Sequence, residues 1–290
     1  MTQLRPFYEK VQAIYDEDHS TEFLSLFLDP TMLYSCAYFE RDDMTLEEAQ
    51  IAKLDLALDK CDLRPGQRLL EVGSGWGAGT VRAAEKYKVN ITALTLSKSQ
   101  RDYVAEKIGQ LPPGSGKAEI RLQGWEEFTE PVDRIVSIAA FEHFRIERYP
   151  AFFQRCRQLL PDDGCMLLHT IVWYNIHTLA KMGLPVEEEG VYFAKFIKEE
   201  VFPGGQLAEP DLICKVAEQA GFTVTRRHSL RQHYARTLDI WAANLEANKE
   251  EALTMTSQTV YNRYMRYLTG CAKYFGSGHI DVFQFSLKCR

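Results

Sequence analysis

Leu69-Leu70-Glu71-Val72-Gly73-Ser74-Gly75-Trp76-Gly77-Ala78-Gly79 runs from an apolar stretch into alternate glycines and then into a helical pattern. A chain that leaves a strand this way turns sharply and brings bare backbone close to a ligand. Glycine suits both tasks, because it takes left-handed angles and has no Cβ to stand in the way. The pattern G-x-G-x-x-G/A alone fits nicotinamide, flavin and S-adenosylmethionine sites, and a purely structural turn as well. Two features favour S-adenosylmethionine: Glu71 sits just before the glycines, and the next apolar run ends in Leu94-Thr95-Leu96-Ser97, without the acidic residue that grips an NAD ribose.

Outward from this loop, short β-rich runs alternate with helical patterns. Strands are expected at Arg68–Gly73, Val89–Leu94, Ala118–Gln123, Val132–Ile138, Gly164–Ile171, Phe222–Leu230 and Asp281–Leu287, and helices at Thr80–Tyr87, Lys98–Ile108 and Glu147–Leu160. Alternation of this kind makes an α/β fold with an open, mostly parallel sheet that binds ligands at the carboxyl ends of its strands. Leu111 to Gly116 is the strongest loop signal.

Residues 1–60 read as a helical cap, with Leu46–Lys60 begun by Thr45 and Glu48 as a capping box. Residues 61–174 are expected to form the cofactor-binding core. Asn175–Gly205 is an insertion between strands, placed as a lid or tunnel wall above the ligand edge. Residues 206–290 complete the core and include a long helical run from about Ala235 to Tyr267.

The 290 residues are 46% hydrophobic and 26% charged, with a net charge of −6. Disorder is thereby disfavoured, and so is a nucleic-acid partner, since there is no broad cationic field. Met1 to Lys10 lacks a secretory core and no window reaches a membrane span, so the expectation is a cytoplasmic protein with at most peripheral membrane contact. Seven cysteines, an odd number without a C-x-x-C pair, argue against a disulfide framework or a zinc ribbon.

Tyr34-Ser35-Cys36-Ala37-Tyr38-Phe39, the Gly73–Gly77 loop, Leu94-Thr95-Leu96-Ser97 with Gln100, Gln123-Gly124-Trp125-Glu126, Phe141-Glu142-His143-Phe144, Phe202-Pro203-Gly204-Gly205 and His233-Tyr234-Ala235-Arg236-Thr237-Leu238 occur in this order. Together they resemble the mycolic acid cyclopropane synthase family over essentially the whole chain. The resemblance implies a seven-stranded class I S-adenosylmethionine-dependent methyltransferase fold, and an enzyme acting on a double bond of a long unsaturated acyl chain presented on an acyl carrier protein or a lipid. It implies that Tyr34 and Ser35 close over the methionine end of the cofactor. Gly73 and Gly75 would lie beneath it, Thr95, Leu96 and Gln100 around the ribose, and Trp125 and Glu126 at the adenine. It also implies a bicarbonate or carbonate ion held by Cys36, Glu142, His169 and Tyr234 with the backbone of Ile138. The chain departs from the family pattern at Ser74, where cysteine is commoner, and along Tyr15–Phe23.

The chemistry is consistent with those residue types. An alkene needs no base before it attacks a sulfonium methyl, but the attack leaves a carbocation that must be kept from water and then lose a proton. Aromatic walls and an anionic base meet that need. Position is an independent argument, because Ile138, Glu142 and His169 fall at or just past the carboxyl ends of two expected strands.

Each residue also has a plainer reading: Cys36 as a buried small hydrophobe, His169 as a core histidine, Tyr234 as a packed aromatic. Glu142-His143 is not a metal pair, since neighbouring residues diverge and no third ligand appears. Phe141, Tyr174, Phe196, Phe202 and Tyr267 are candidates for an acyl tunnel beside Tyr34. The alternative enzyme is a small-molecule N- or O-methyltransferase, and the non-enzymatic alternative a lipid-binding protein of the same fold. Within the family, cyclopropane, methyl-branched and hydroxylated products remain open. Histidine at 169 points to the first, because hydroxylating relatives vary there.

Overall fold

In the computed structural model, which describes residues 4–12 and 21–290, the run Arg68–Val72 forms β1 at the centre of a sheet. Its neighbours are β2 (Asn90–Thr95), β3 (Ala118–Leu122), β4 (Arg134–Ile138), β5 (Cys165–Trp173), β6 (Phe222–Ser229) and β7 (Ile280–Cys289). The seven strands lie in the order β3-β2-β1-β4-β5-β7-β6. All pair in parallel except β7, which runs antiparallel to both β5 and β6. Strand order reverses between β1 and β4, and a crevice opens beyond their carboxyl ends.

Helices α1 (Tyr8–Gln12), α2 (Thr21–Ser25) and α3 (Leu46–Asp59) precede the sheet. Thr45 accepts from the Glu48 amide while the Glu48 carboxylate accepts from the Thr45 amide, so the expected capping box starts α3. Next come α4 (Ala78–Lys86), α5 (Lys98–Gly109), α6 (Tyr149–Leu159), α7 (Ile176–Lys181) and α8 (Glu188–Phe196), the last continued by a π-helical turn over Ile197–Val201. Then follow α9 (Pro210–Gln219), α10 (Arg231–Ala247), α11 (Lys249–Met255) and α12 (Gln258–Ser277).

The single helical run expected between Ala235 and Tyr267 is therefore three helices. Asn248 breaks it by turning its side-chain amide onto the carbonyls of Leu26 and Asn244, and Thr256 is extended before Ser257 caps α12.

Alternation within the strands sends residues to opposite faces. Leu70, Ile135, Met166 and Leu168 meet Phe152, Phe153 and Leu159 of α6 in one core. Leu69, Val136 and Leu167 meet Ala57 and Leu58 of α3 and Ala83 and Ala84 of α4 in another. A third core joins α2 to α10 and α12 through Phe23, Phe27, Trp241 and Tyr264, and takes in Phe196 and Val201 of the insertion. Burying one such aromatic contributes roughly 1.5–3 kcal/mol, so the caps are anchored to the site rather than draped on it. Among the described residues no helix is long and apolar enough to cross a membrane.

Candidate active site

The glycine turn makes the floor of the crevice. The amides of Gly73 and Ser74 both donate to the Leu94 carbonyl, at 3.1 and 3.0 Å, which ties the loop to the end of β2. Gly73 has φ +84°, and a Cβ there would lie 2.3 Å from the Cβ of Ala140; Gly75 has φ +51°, and a Cβ there would meet nothing within 4 Å. The first glycine is thus demanded by close contact as well as by its angle, whereas the second is demanded by its angle and leaves open space where it lines the crevice. Glu71 lies beneath, accepting from Thr80 Oγ1 at 2.5 Å. Burial pushes its carboxyl up to about 7.

The walls come from the ends of β2, β3 and β4. Ser97 caps α5 by accepting the Gln100 amide at 3.0 Å, and Thr95 Oγ1 donates to Gln100 Oε1 at 2.8 Å, so the Gln100 side chain is fixed. Trp125 meets Phe152 edge-on, with centroids 5.3 Å apart. The Glu126 carboxylate is paired with Arg148 at 2.8 Å. Arg148 also donates to the Arg5 carbonyl and lies 3.7 Å from the Phe7 ring centroid, pinning the N-terminal segment over this wall. Tyr34, Ser35, Gly73, Gly75, Thr95, Leu96, Gln100, Trp125 and Glu126, the nine expected cofactor contacts, all line one crevice of about 1150 Å³ including its open mouth. Phe7 lines it too, which the sequence reading missed because nothing local tells a segment of Met1–Lys10 that it will be strapped by Arg148.

Of the five residues assigned to anion binding, only Ile138 lines the crevice. Cys36, His169 and Tyr234 are buried, and Glu142 is half-buried with its carboxylate enclosed. Cys36 Sγ donates to the Ala37 carbonyl at 3.1 Å, and burial raises its thiol far above the ordinary range, which leaves it a protonated donor rather than a nucleophile. Glu142 Oε1 accepts from the Ile171 amide at 2.7 Å. Its carboxyl is pushed up by burial against the pull of that bond. His169 Nδ1 lies 3.3 Å from the side-chain amide of Gln284. Burial first, then the charges of Lys53 and Lys60, holds it neutral. Tyr234 packs at a tilt against Phe275, with centroids 4.5 Å apart, and lies within electrostatic reach of Cys36, Tyr34 and Glu142. Among the described residues, Glu142 Oε2 and His169 Nε2 are buried without a hydrogen-bond partner.

Lys53 was not legible as a site residue. It is fully buried on α3, donates to Ser35 Oγ at 2.7 Å, and is held at about 8 by burial. Cys36, Asp29 and Glu71 offset part of that cost. No carboxylate forms an ion pair with it among the described residues, and its charge is felt at Cys36 and His169. Gln50, one turn earlier, donates to the Leu33 and Ser35 carbonyls, and α3 thereby fixes the segment that carries Tyr34, Ser35 and Cys36.

The aromatic candidates divide. Phe196, Phe202 and Tyr267 belong to or pack against the apolar cluster that includes Tyr34. Phe141 does not line a tunnel: it stacks on Tyr149 at 3.9 Å, inside the core beneath α6. Tyr174 turns its hydroxyl to Asp281 at 3.5 Å. Among the described residues no group of three potential metal ligands occurs, Glu142 and His143 included. Of Tyr15–Phe23, residues 15–20 lie outside the described residues, while Phe23 packs edge-on to Tyr264 at 4.7 Å.

The family model for mycolic acid cyclopropane synthetase matches residues 2–285. The chain belongs to that family. It is 57% identical over 287 residues to the S-adenosylmethionine-dependent methyltransferase UmaA of Mycobacterium tuberculosis, covering 99% of each chain. The structure superposes on the cyclopropane synthase MmaA2 from Mycobacterium tuberculosis with a TM-score of 0.95 at 52% identity, covering 98% of this chain and 99% of that one. The cyclopropane synthase CmaA1, solved with SAH and CTAB, gives 0.94 at 54% identity, again covering 98% and 99%. As a member of the cyclopropane synthetase family the chain is an S-adenosylmethionine-dependent methyltransferase, and the open approach at Gly75 and the single crevice shared by nine expected contacts fit that cofactor.

Proposed function

We propose that this enzyme methylates a double bond of a long acyl chain of the mycolic type and closes it to a cyclopropane. The observation that carries the reading is the pair of buried, unpartnered polar atoms behind the crevice, Glu142 Oε2 and His169 Nε2. Leaving such atoms unpaired is costly, so the pair suits a small ion that both donates and accepts. Bicarbonate has that character: its hydroxyl matches an acceptor carboxylate, and its anionic oxygens match an N–H. Cys36, Tyr234 and the Ile138 backbone are the further residues proposed to hold it.

When bound, S-adenosylmethionine supplies the methyl group and bicarbonate the base. The chain's own residues set the conditions. Tyr34, which lines the crevice, lies against Trp241 at 5.5 Å and Phe27 at 6.1 Å, and Tyr264 against Tyr267 at 6.3 Å, an aromatic cluster suited to attract a developing cation and exclude water. Lys53 adds a buried positive charge that favours an anion nearby, while burial keeps Cys36 and Tyr234 protonated as donors. The insertion and α10–α12 would enclose the acyl chain, each buried CH₂ contributing about 0.8 kcal/mol to a substrate with few polar handles. An acyl carrier protein or a lipid would present it.

The test is mass spectrometry of lipids after turnover with a deuterated methyl donor. A cyclopropane gains one carbon, loses its double bond, gains no oxygen and keeps two of the three methyl deuterons. Retention of all three deuterons points to a methyl branch, and gain of oxygen to hydration. Turnover of a small amine or phenol with none on unsaturated lipids would replace this reading with the small-molecule methyltransferase.

A further inference from the structure

Residues at matched register positions on neighbouring strands share a face of the sheet. Ile138 of β4 pairs with His169 of β5, His169 with Gln284 of β7, and Gln284 with His228 of β6, so these four side chains form one row across the sheet. Lys60, where α3 ends, closes the row from above. Its Nζ lies 2.5 Å from Gln284 Oε1 and 2.9 Å from His228 Nδ1. Gln284 is fully buried and His169 nearly so, while Lys60 and His228 are half-buried at the outer end.

The chemistry of the row has a direction. A lysine ammonium donates and does not accept, so the Gln284 atom that faces it is the carbonyl oxygen. The amide nitrogen of Gln284 is then turned to His169 Nδ1, at 3.3 Å, where it acts as a donor. An Nδ1 that accepts carries no proton, and a neutral imidazole must hold its one proton on the other nitrogen. We infer that Lys60 and Gln284 are positioning residues that fix His169 as the Nε2–H tautomer, so that its unpartnered nitrogen is a hydrogen-bond donor aimed into the buried site.

The surroundings keep the imidazole neutral rather than cationic. Burial and the charges of Lys53 and Lys60 both disfavour a proton on Nδ1. Farther out, Lys60 faces Arg226 and Cys61, and His228 faces Lys60, Arg226 and His233, so the groups around the outer end are mainly cationic. Lys60 itself is held at about 8 and keeps its proton at neutral pH. That His169 uses its Nε2–H to hold bicarbonate rests on the proposed function; the tautomer does not.

The test is nitrogen-detected NMR of the full chain labelled with ¹⁵N-histidine, free of substrate, the His169 signals being assigned by their loss in His169→Gln. The expected spectrum has a bare Nδ1 and a protonated Nε2. Gln284→Glu replaces the donor with an acceptor and should move the proton to Nδ1 or give an imidazolium, with turnover falling about 10- to 100-fold and cofactor affinity unchanged. Should that variant not fold, Lys60→Met at the half-buried end should give mixed tautomers, and Lys60→Arg should restore the single one. A protonated Nδ1 in the parent protein, or a His169 signal that neither Gln284→Glu nor Lys60→Met moves, overturns the inference. A shifted tautomer with unchanged turnover supports the relay and overturns instead the use of that proton in the proposed reaction.

Discussion

The crevice and the buried set behind it are built on opposite plans. The crevice is assembled largely from loops at strand ends, several settled by bonds within a few residues or across one strand, such as Ser97 to Gln100 and Gly73 to Leu94. The buried set draws Cys36, Glu142, His169 and Tyr234 from four separate parts of the chain and leaves two of their polar atoms unpartnered among the described residues. In the proposed reading the second set is completed by a bound anion. The difference implies that mutations in one should affect binding of the cofactor or stability, and in the other the reaction itself.

The largest effect expected is at Glu142. Glu142→Gln keeps the side chain's size but removes its charge, and turnover should fall about 100- to 1000-fold while calorimetry finds the affinity for S-adenosylmethionine within about threefold of the parent. A matching loss of cofactor affinity would break the separation of the two regions. Gly73→Ala comes next, acting on the fold rather than the reaction. Its Cβ meets Ala140 at 2.3 Å in a left-handed backbone, and thermal melts should show a loss of about 2–4 kcal/mol. Gly75→Val carries the strain of its left-handed backbone but no clash, so it should stay folded with some loss of stability and lose cofactor binding in excess of that loss.

A third test uses pH. Glu71 is held at about 7 against an ordinary 4.5, so the native state keeps a proton that the unfolded chain has lost. That contribution is complete below about 4.5 and is lost as pH rises through about 7. Glu71→Gln has no such titration, and its stability relative to the parent should rise by up to about 3 kcal/mol between pH 4 and pH 8. A difference independent of pH would mean that Glu71 titrates in the native state as it does in the unfolded chain. The smallest effects sharpen the comparison. Arg148→Ala frees the N-terminal segment and strands Glu126, so cofactor affinity should fall about tenfold. Cys36→Ser, which keeps a donor on the Ala37 carbonyl, should cost turnover less than tenfold, well short of Glu142→Gln.

What could be read in advance follows the same division. Each strand is a short β-rich run bounded by turn residues, so all seven lay within a few residues of expectation, and the glycine loop marked the crevice floor, while its other residues were named by the family resemblance. The order of strands carries no local mark. Gln284 alternates with apolar neighbours in β7 as any half-exposed position would, and only the placement of β7 against β5 sets it beside His169. Lys53 lies in a helical run rich in charges, and its burial depends on Ser35 arriving from eighteen residues away. The breaks at Asn248 and Thr256 also escape local reading, since Asn248 is held by the distant Leu26 carbonyl.

The place of β7 in the sheet bears on how the chain reaches this state. Within the sheet β6 has no neighbour except β7, although β7 follows it only after α10, α11 and α12. Until those helices have folded back, β6 is a strand without a sheet and β5 an open edge, both able to pair with another molecule. Closing the sheet is thus a late, long-range event in which the loop entropy of three helices is spent at once. Crowded refolding should lose material to aggregation at that stage, before Gln284 has met His169, and conditions that hasten docking of α10 and α12 should recover it.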